Sequence, residues 1–268
     1  MRDVPEFRDG PTAFIEPRGS LDFFARKYIT NLKQHCDIST ACLLDCGCGH
    51  GWNTLAYMLE GGHQAVGLDL NEIALRAARQ FSQILGFEKR VTFCHGSVTE
   101  IPLPDKSVDL VCCVETLEHL HGQADLSLRE LNRVAKSVIL VTTPNSLFPV
   151  IAHDTRLPGA HWLPPNWRQP YARLFGRQRK DDKNVFVSPF QIVRGLKDFK
   201  LASKFLGFPS FEDFKHCYPH YLPYMGEGIS GARNLGAMKK WFYAANYALF
   251  GAKSFYTLPS LTGVFTKK

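Results

Sequence analysis

The run Leu43-Leu-Asp-Cys-Gly-Cys-Gly-His-Gly-Trp52 limits what this chain can fold into more than any other stretch. Two apolar residues end on Asp45, and Gly47, Gly49 and Gly51 then alternate with Cys48 and His50. The apolar lead from Ala41 to Leu44 predicts a buried parallel strand, and Asn53 to Leu59 a helix. Glycines at such a junction let the backbone turn sharply and let a ligand approach where a Cβ would stand. The spacing excludes two common nucleotide loops. A dinucleotide fingerprint runs G-x-G-x-x-G, its third glycine packing helix against strand; here the third glycine comes one residue early. A P-loop ends on Lys followed by Ser or Thr, and Trp52-Asn53 supplies neither.

The residues beyond the loop extend the pattern. Gln64 to Leu70 reads as a second apolar strand ending on Asp69. An acid about 20 residues past a glycine loop is placed to accept both hydroxyls of a ribose. Asn71 already fits the cap of the next helix, with Glu72 in its first turn, which leaves Asp69 for another task. That helix runs to Leu85 and stops at Gly86. Val91 to Val98 predicts a third strand with Gly96-Ser97-Val98 at its tip, Val108 to Val114 a fourth, and Val138 to Thr143 a fifth closed by Pro144-Asn145. Strand and helix alternate over 41–145, the pattern of a doubly wound, mostly parallel α/β sheet. Residues 1–19 read as irregular, and a helix from Ser20 carries Phe23, Phe24, Tyr28 and Leu32 at helical spacing. Ser188-Pro189 opens a later helix, and Leu261 to Thr266 reads as a last strand within the sheet.

The Asp-x-Gly-x-Gly-x-Gly run, Asp69, the Gly96-Ser97-Val98 tip and Pro104-Asp-Lys-Ser-Val-Asp-Leu-Val111 occur in a telling order. The chain thereby resembles class I S-adenosylmethionine-dependent methyltransferases. More narrowly, it is similar to the ubiquinone-biosynthesis O-methyltransferases and the methyltransferase type 11 families. The resemblance implies a Rossmann-like, seven-stranded sheet and S-adenosyl-L-methionine as methyl donor. It also implies a donor site of Asp45, Gly47, Gly49, Gly51, Asp69, Leu70, Ser97, Val98 and Glu115. In that family Asp69 would hold the ribose and the Ser97-Val98 tip would meet the adenine edge. A single domain is expected, with a lid helix in 1–38, the donor-binding core in 39–145 and an insertion over the active site in 146–187. Residues 188–268 would complete the core and carry an aromatic, basic lid helix. The chain departs from the quinone enzymes at Arg133-Val-Ala-Lys-Ser137, where they carry Lys-Pro-Gly-Gly, and in the length of the 146–187 segment. It keeps Thr142-Thr-Pro-Asn145 and Phe186-Val-Ser-Pro189.

Glu115-Thr-Leu-Glu118-His119 comes after the fourth strand, at the sheet edge where this fold holds ligands. A helical turn beginning there would set Glu115, Glu118 and His119 on one face. His119, assisted by Glu118, could then take the proton of a substrate hydroxyl, work suited to an imidazole. The three could instead hold a divalent cation such as Mg²⁺, which would acidify a bound hydroxyl. E-x-x-E-H also occurs in small-RNA 2′-O-methyltransferases, where the resemblance implies a further histidine; His153 and His161 are the candidates. A purely structural helix start is the third reading.

Charge and aromatic content bear on the acceptor. Lys and Arg number 32 against 25 acids, a net charge of +7. Some of the excess lies in Arg168, Arg173, Arg177, Arg179, Lys180 and Lys183, and some in Lys239 and Lys240. Leu235, Met238, Trp241, Phe242, Ala245 and Leu249 recur at helical spacing, as in a helix that meets an anionic membrane surface; a solvated face is the plainer alternative. No RNA-binding signature accompanies the basic residues, so nucleic acid is not the expected partner. Tyr218, Tyr221, Tyr224, Tyr243, Tyr247 and Phe250 suit an aromatic or long apolar acceptor. The eight cysteines do not form a disulfide framework. Cys42, Cys46, Cys48, Cys112 and Cys113 fall in or beside predicted core strands, where Cys acts as a small hydrophobe. With a charged, proline-broken start and no run of about 18 apolar residues, a cytoplasmic setting is expected. The expected function is methyl transfer to a hydroxyl of a phenolic, lipid-like or natural-product molecule. RNA 2′-O-methylation and non-catalytic S-adenosylmethionine binding are the alternatives.

Overall fold

The computed structural model describes residues 1–10, 15–151, 155–177, 184–217, 220–221, 233–234 and 237–268. Strands β1 (Cys42–Cys46), β2 (Gln64–Asp69), β3 (Val91–His95), β4 (Val108–Val114), β5 (Ala135–Thr142) and β6 (Phe199–Leu201) come first. A two-residue pair, β7 (His220–Tyr221) and β8 (Arg233–Asn234), precedes β9 (Gly263–Lys267). The seven longer strands form one sheet ordered β3-β2-β1-β4-β5-β9-β6. β1 to β5 are mutually parallel, and β9 runs antiparallel between β5 and β6. This is the Rossmann-like, mostly parallel sheet expected of the sequence. The chain order reverses at β1, whose neighbours β2 and β4 lead to opposite sides. A crevice therefore opens beyond the carboxyl ends of these strands.

The pleat sorts the core into two layers. Leu43 and Leu44 on β1 are both fully buried, yet they belong to opposite clusters because alternate side chains face opposite ways. Helices α1 (Pro5–Arg8), α2 (Pro17–Phe24), α3 (Thr30–Lys33), α4 (Trp52–Leu59) and α5 (Glu72–Ile84) supply the Leu43 side. On the Leu44 side lie α6 (Ala124–Val134) and, after α7 (Pro165–Leu174), α8 (Pro189–Gly195). Beyond them α9 (Phe211–Cys217) and α10 (Ala237–Phe250) meet in a separate aromatic cluster around Phe205, Phe214 and Tyr243. Local signals set the helix ends. Asn71 accepts the Ala74 N–H at 3.1 Å, Gly86 takes the left-handed turn at φ +75°, and Ser188 forms a capping box with Gln191. A cap of this kind stabilises a helix by about 1 kcal/mol.

Several boundaries differ from expectation. Residues 1–10 are not irregular: α1 drives Phe7 into the core, where its ring stands edge-on to Trp52 and Phe81 at 5.7 and 5.4 Å. The next helix begins at Pro17 and not at Ser20, because Glu16 caps it through Gly19 N–H and Ser20 lies inside its first turn. It continues through a π-helical turn at Ala25–Ile29. β5 starts at Ala135, earlier than expected, since Val108 pairs with Ala135 ahead of a bulge. The last strand starts at Gly263, because Leu261 N–H is already taken by the Thr143 carbonyl at 2.8 Å. The 146–187 segment is closed at its base by a bridge between Asn145 and Val187 and contains α7. No helix among the described residues is long and apolar enough to cross a membrane.

Candidate functional site

The glycine loop comes directly after β1. Gly47, Gly49 and Gly51 all take positive φ, at +74°, +52° and +77°. A Cβ on Gly47 would stand 2.3 Å from Thr116 Oγ1, whereas one on Gly49 would meet nothing within 4 Å. Gly47 thus lets the loop pass close to the end of β4, and Gly49 is where the loop lies open. The β2 carbonyl of Leu68 accepts both Gly47 N–H, at 2.8 Å, and Cys48 N–H, at 3.1 Å. Gly47→Ala should therefore destabilise the fold by about 1–3 kcal/mol, from the left-handed backbone and the displaced Thr116 together. Urea denaturation measures it, and an unchanged midpoint would show that the loop does not need this approach.

The two acids flanking the loop do different work. Asp45 is only 2% exposed and accepts Asn53 Nδ2 at 3.0 Å, Thr54 N–H at 3.1 Å and Thr54 Oγ1 at 2.7 Å. Expected as a donor contact, it instead clamps the start of α4 beneath the loop. Burial pushes its carboxyl up to about 6 against the pull of these hydrogen bonds. Asp69 stays half-buried at the end of β2, accepting Gly49 N–H at 2.7 Å and Asn71 N–H at 2.8 Å. Beside it Leu70 is 61% exposed. At the tip of β3, Ser97 Oγ lies 2.6 Å from Thr99 Oγ1, and Val98 is buried. Asp69, Leu70, Ser97 and the glycine loop thus gather at the carboxyl edge of the sheet.

The Glu115–His119 segment departs from its expected geometry. Glu115 adopts φ +50°, so no helical turn begins there, and the short 3-10 turn covers only Leu117–His119. The three side chains consequently do not share one face. Glu118 is fully buried and accepts Thr143 Oγ1 at 2.9 Å. Burial, and next the negative charge of Glu115, push the Glu118 carboxyl well above its ordinary range. Glu118 Oε1 meets no donor among the described residues. Both causes favour the neutral form of the Glu118 carboxyl beside Glu115. His119 is exposed, with Nδ1 3.0 Å from the Asn184 amide oxygen. An amide oxygen only accepts, so Nδ1 carries the hydrogen and Nε2 is left as the basic nitrogen.

That arrangement does not suit a cation at Glu115, Glu118 and His119: burial favours the neutral form of Glu118, and the imidazole bonds Asn184. Among the described residues no three His, Cys, Asp or Glu side chains converge in a way that could hold a metal. His161 is buried against the Ser146 carbonyl at 2.9 Å, and His153 lies outside the described residues. Burial raises the thiols of Cys46 and Cys48 well above the ordinary range, which opposes metal ligation there too.

Two neighbours of the site carry no signal in the sequence. Asn184 is 3% exposed and reaches His119 from the far end of the 146–187 segment, while Val185 N–H meets the Glu118 carbonyl at 3.0 Å. Lys27, on the π-helical turn, stands 5.1 and 5.0 Å over the Phe23 and Tyr28 rings. Burial pushes its ammonium down, and the Glu115 charge opposes that shift. A basic residue on a helix face reads as solvated in sequence. Only the π turn, a feature frequent at functional sites, swings it toward the crevice acid.

A loop open over Gly49, with a carboxylate at the next strand end and a polar tip on the one after, fits an adenosine-bearing ligand. Sheet, loop and strand-end acid have the form of the class I S-adenosylmethionine-dependent methyltransferase fold. Residues 44–138 match the family model described as a methyltransferase domain. A "probable S-adenosylmethionine-dependent methyltransferase" of Mycolicibacterium smegmatis is 34% identical over 121 residues, covering 44% of this chain and 44% of that protein. Norajmaline N-methyltransferase of Rauvolfia serpentina is 29% identical over 134 residues, covering 49% of this chain and 43% of its own length. The match thus spans less than half the length of these relatives. Magnesium protoporphyrin IX methyltransferase of Synechocystis, solved with bound S-adenosylhomocysteine, shares the fold at a TM-score of 0.50 and 15% identity, over 70% of this chain and 75% of that one.

Proposed function

We propose that the protein transfers the methyl group of S-adenosylmethionine to a hydroxyl of a small, largely apolar molecule, with His119 as general base. The observation that carries this reading is the hydrogen bond from His119 Nδ1 to Asn184, which leaves Nε2 free to take a proton at the carboxyl edge of the sheet. A neutral amine can attack a methyl group with its own lone pair, whereas a hydroxyl must lose its proton as the bond forms. A base fixed in one tautomer serves the second case directly. S-adenosylmethionine supplies the electrophilic methyl on a sulfonium. For its part the chain holds the donor through Asp69, the backbone of Gly47 to Gly51 and the Ser97-Val98 tip. Glu115, beside the buried Glu118, adds a carboxyl group at the end of β4. The protein's main task is then alignment, which orientation alone can make worth many orders of magnitude in rate.

Calorimetry with S-adenosylhomocysteine tests the donor half. Binding should be unaffected by a chelator, and Asp69→Ala should weaken it by roughly 100-fold, since one carboxylate holds both the loop and the ribose. No binding by the unmodified chain would overturn the reading. Labelled methyl transfer to a panel of phenols, carboxylic acids, amines and RNA then decides the acceptor. Transfer confined to amines or RNA would count against a small hydroxyl acceptor.

A further inference from the structure

We propose that a cleft at the amino edge of the sheet, bounded by α6, the end of α8 and the turn before β4, binds a small oligophosphate. β4, β5 and β6 run in the same direction as β1, so their amino ends share the edge opposite the glycine loop. Each is entered through a basic residue: Lys106 two positions before β4, Arg133 two before β5 and Lys197 two before β6. Arg129 adds a fourth, one turn back along α6. These side chains line a cavity of about 560 Å³, within the range of small-molecule sites.

The walls of the cleft are fixed to one another. Asn132 Nδ2 donates to Asp198 Oδ2 at 2.9 Å and Asp198 N–H to Asn132 Oδ1 at 3.0 Å, which ties α6 to the entry of β6. Arg133 donates to the Leu103 and Ile101 carbonyls at 2.8 and 2.9 Å and so holds the turn before β4. In that turn Lys106 takes φ +48°, a left-handed conformation rare for a side-chain-bearing residue, and its N–H meets the Arg133 carbonyl at 2.9 Å. A Cβ on Gly195 would stand 2.5 Å from Leu128 Cβ, so the end of α8 lies directly against α6. A site fixed in advance loses little affinity to the ordering of its parts.

The charge left over selects the ligand. Arg133 is balanced by Asp105 at 2.8 Å and Glu130 at 2.7 Å, and Arg194 meets Asp125 at 3.7 Å. Bases near a helix end are often no more than this, partners of the dipole and of local acids. Lys106, Arg129 and Lys197 differ: among the described residues none of them forms an ion pair. The remaining acid of the cleft, Asp198, stands among the charges of Lys267, at 3.8 Å, Lys197 and Lys106. Its Asn132 hydrogen bond, followed by those charges, holds its carboxyl below the ordinary range against the opposing effect of burial. One carboxylate thus faces several cations, and a single monovalent anion would leave most of the excess unmet. Linked phosphates bring several charges and many acceptor oxygens in one small group, which suits Arg and Lys donors on three sides.

Calorimetry of the full chain with inorganic pyrophosphate, in magnesium-free buffer at about physiological salt, tests this. One pyrophosphate should bind per chain with a Kd below about 0.1 mM. Arg129→Ala and Lys106→Ala should each weaken it by roughly tenfold, the worth of one charge-assisted hydrogen bond. Lys89→Ala, an exposed base in the turn before β3, should leave it unchanged. ATP in place of pyrophosphate distinguishes the source: equal or weaker affinity means a free oligophosphate, tighter binding the phosphate chain of a nucleotide. Saturating S-adenosylhomocysteine should alter pyrophosphate affinity by less than about twofold, since the two sites lie on opposite edges of the sheet. Its own affinity is read separately, so failure here is distinct from failure of the methyl-transfer reading. Circular dichroism melting confirms that the variants fold. No binding, binding abolished by S-adenosylhomocysteine, binding that neither variant weakens, or equal binding of sulfate would overturn the proposal. So would tighter binding of a single-stranded RNA, which would make the cleft part of a nucleic-acid face.

Discussion

His119→Ala should lower the methyl-transfer rate by roughly 10²–10⁴-fold, the usual worth of a positioned base, while S-adenosylhomocysteine affinity changes less than about twofold. The separation follows from the placement of the side chain. His119 lies on the 3-10 turn after β4, and its imidazole bonds Asn184 and, among the described contacts, nothing in the glycine loop. Removing the ring therefore leaves the Asp69 and Gly49 contact intact. Asn184 provides the finer test, because it acts through the imidazole. Asn184→Ala should cost about tenfold in rate by releasing the tautomer, whereas Asn184→Asp should keep the rate and move the acid limb of its pH profile upward, since a carboxylate favours the charged ring. A structural role for the pair would move melting temperature and leave that limb where it was. Full activity of His119→Ala on a hydroxyl acceptor would remove the base from the mechanism.

Glu118→Gln should be more stable than the unmodified chain at neutral pH, by a margin that widens with pH. The buried Glu118 carboxyl has its folded value raised above the ordinary 4.5, with burial as the first cause and the Glu115 charge as the second. Above pH 4.5 the unfolded chain has released this proton while the folded one retains it, so unfolding releases a proton and stability falls as pH rises. The slope is about 1.4 kcal/mol per pH unit for one proton. It persists until the pH reaches the folded value. Glutamine mimics the protonated acid: its amide donates toward Glu115 and its oxygen accepts Thr143 Oγ1. The gap in unfolding free energy between variant and parent should thus be smallest at about pH 4 and widen as the pH rises above the ordinary carboxyl value of 4.5. Urea titrations across that range measure it. A gap that stays constant would mean that Glu118 is ionised in the fold. The same variant addresses chemistry, since a Glu118 that exchanged protons during turnover could not be replaced by an amide, whereas a positioning Glu118 can.

Much of the donor half is legible in the sequence because it is local. The β1 loop, the Asn71 cap, the Gly86 stop and the Ser188 capping box each depend on a few consecutive residues, and each lies where spacing puts it. The Glu115-to-His119 segment misleads for a specific reason. Periodicity assumes right-handed backbone, and one residue at φ +50° breaks the register between Glu115 and the two residues behind it. Asp45 misleads in another way: its position matches a ligand contact, but its partners Asn53 and Thr54 emerge only when α4 folds back on β1. Lys27 and Asn184 lie far along the chain from the strand ends they approach, and no spacing rule links them. Tyr218 and Tyr224, expected on the acceptor side, and Leu235, expected on the lid helix, lie outside the described residues, as do Arg179, Lys180 and Lys183.

The position of β9 bears on how the protein is made. β5 cannot complete its pairing until a strand from the far end of the chain arrives, and Thr142 meets Thr262 across 120 residues. A ribosome adding about 5–20 residues per second leaves the outer edge of β5 bare for roughly 6–24 s. That edge is Val138-Ile-Leu-Val141, apolar and rich in β-branched residues, the kind of strand that recruits a wrong partner. Yield in a cell should thus hinge on what shields this strand during synthesis, a demand unrelated to the stability of the finished fold.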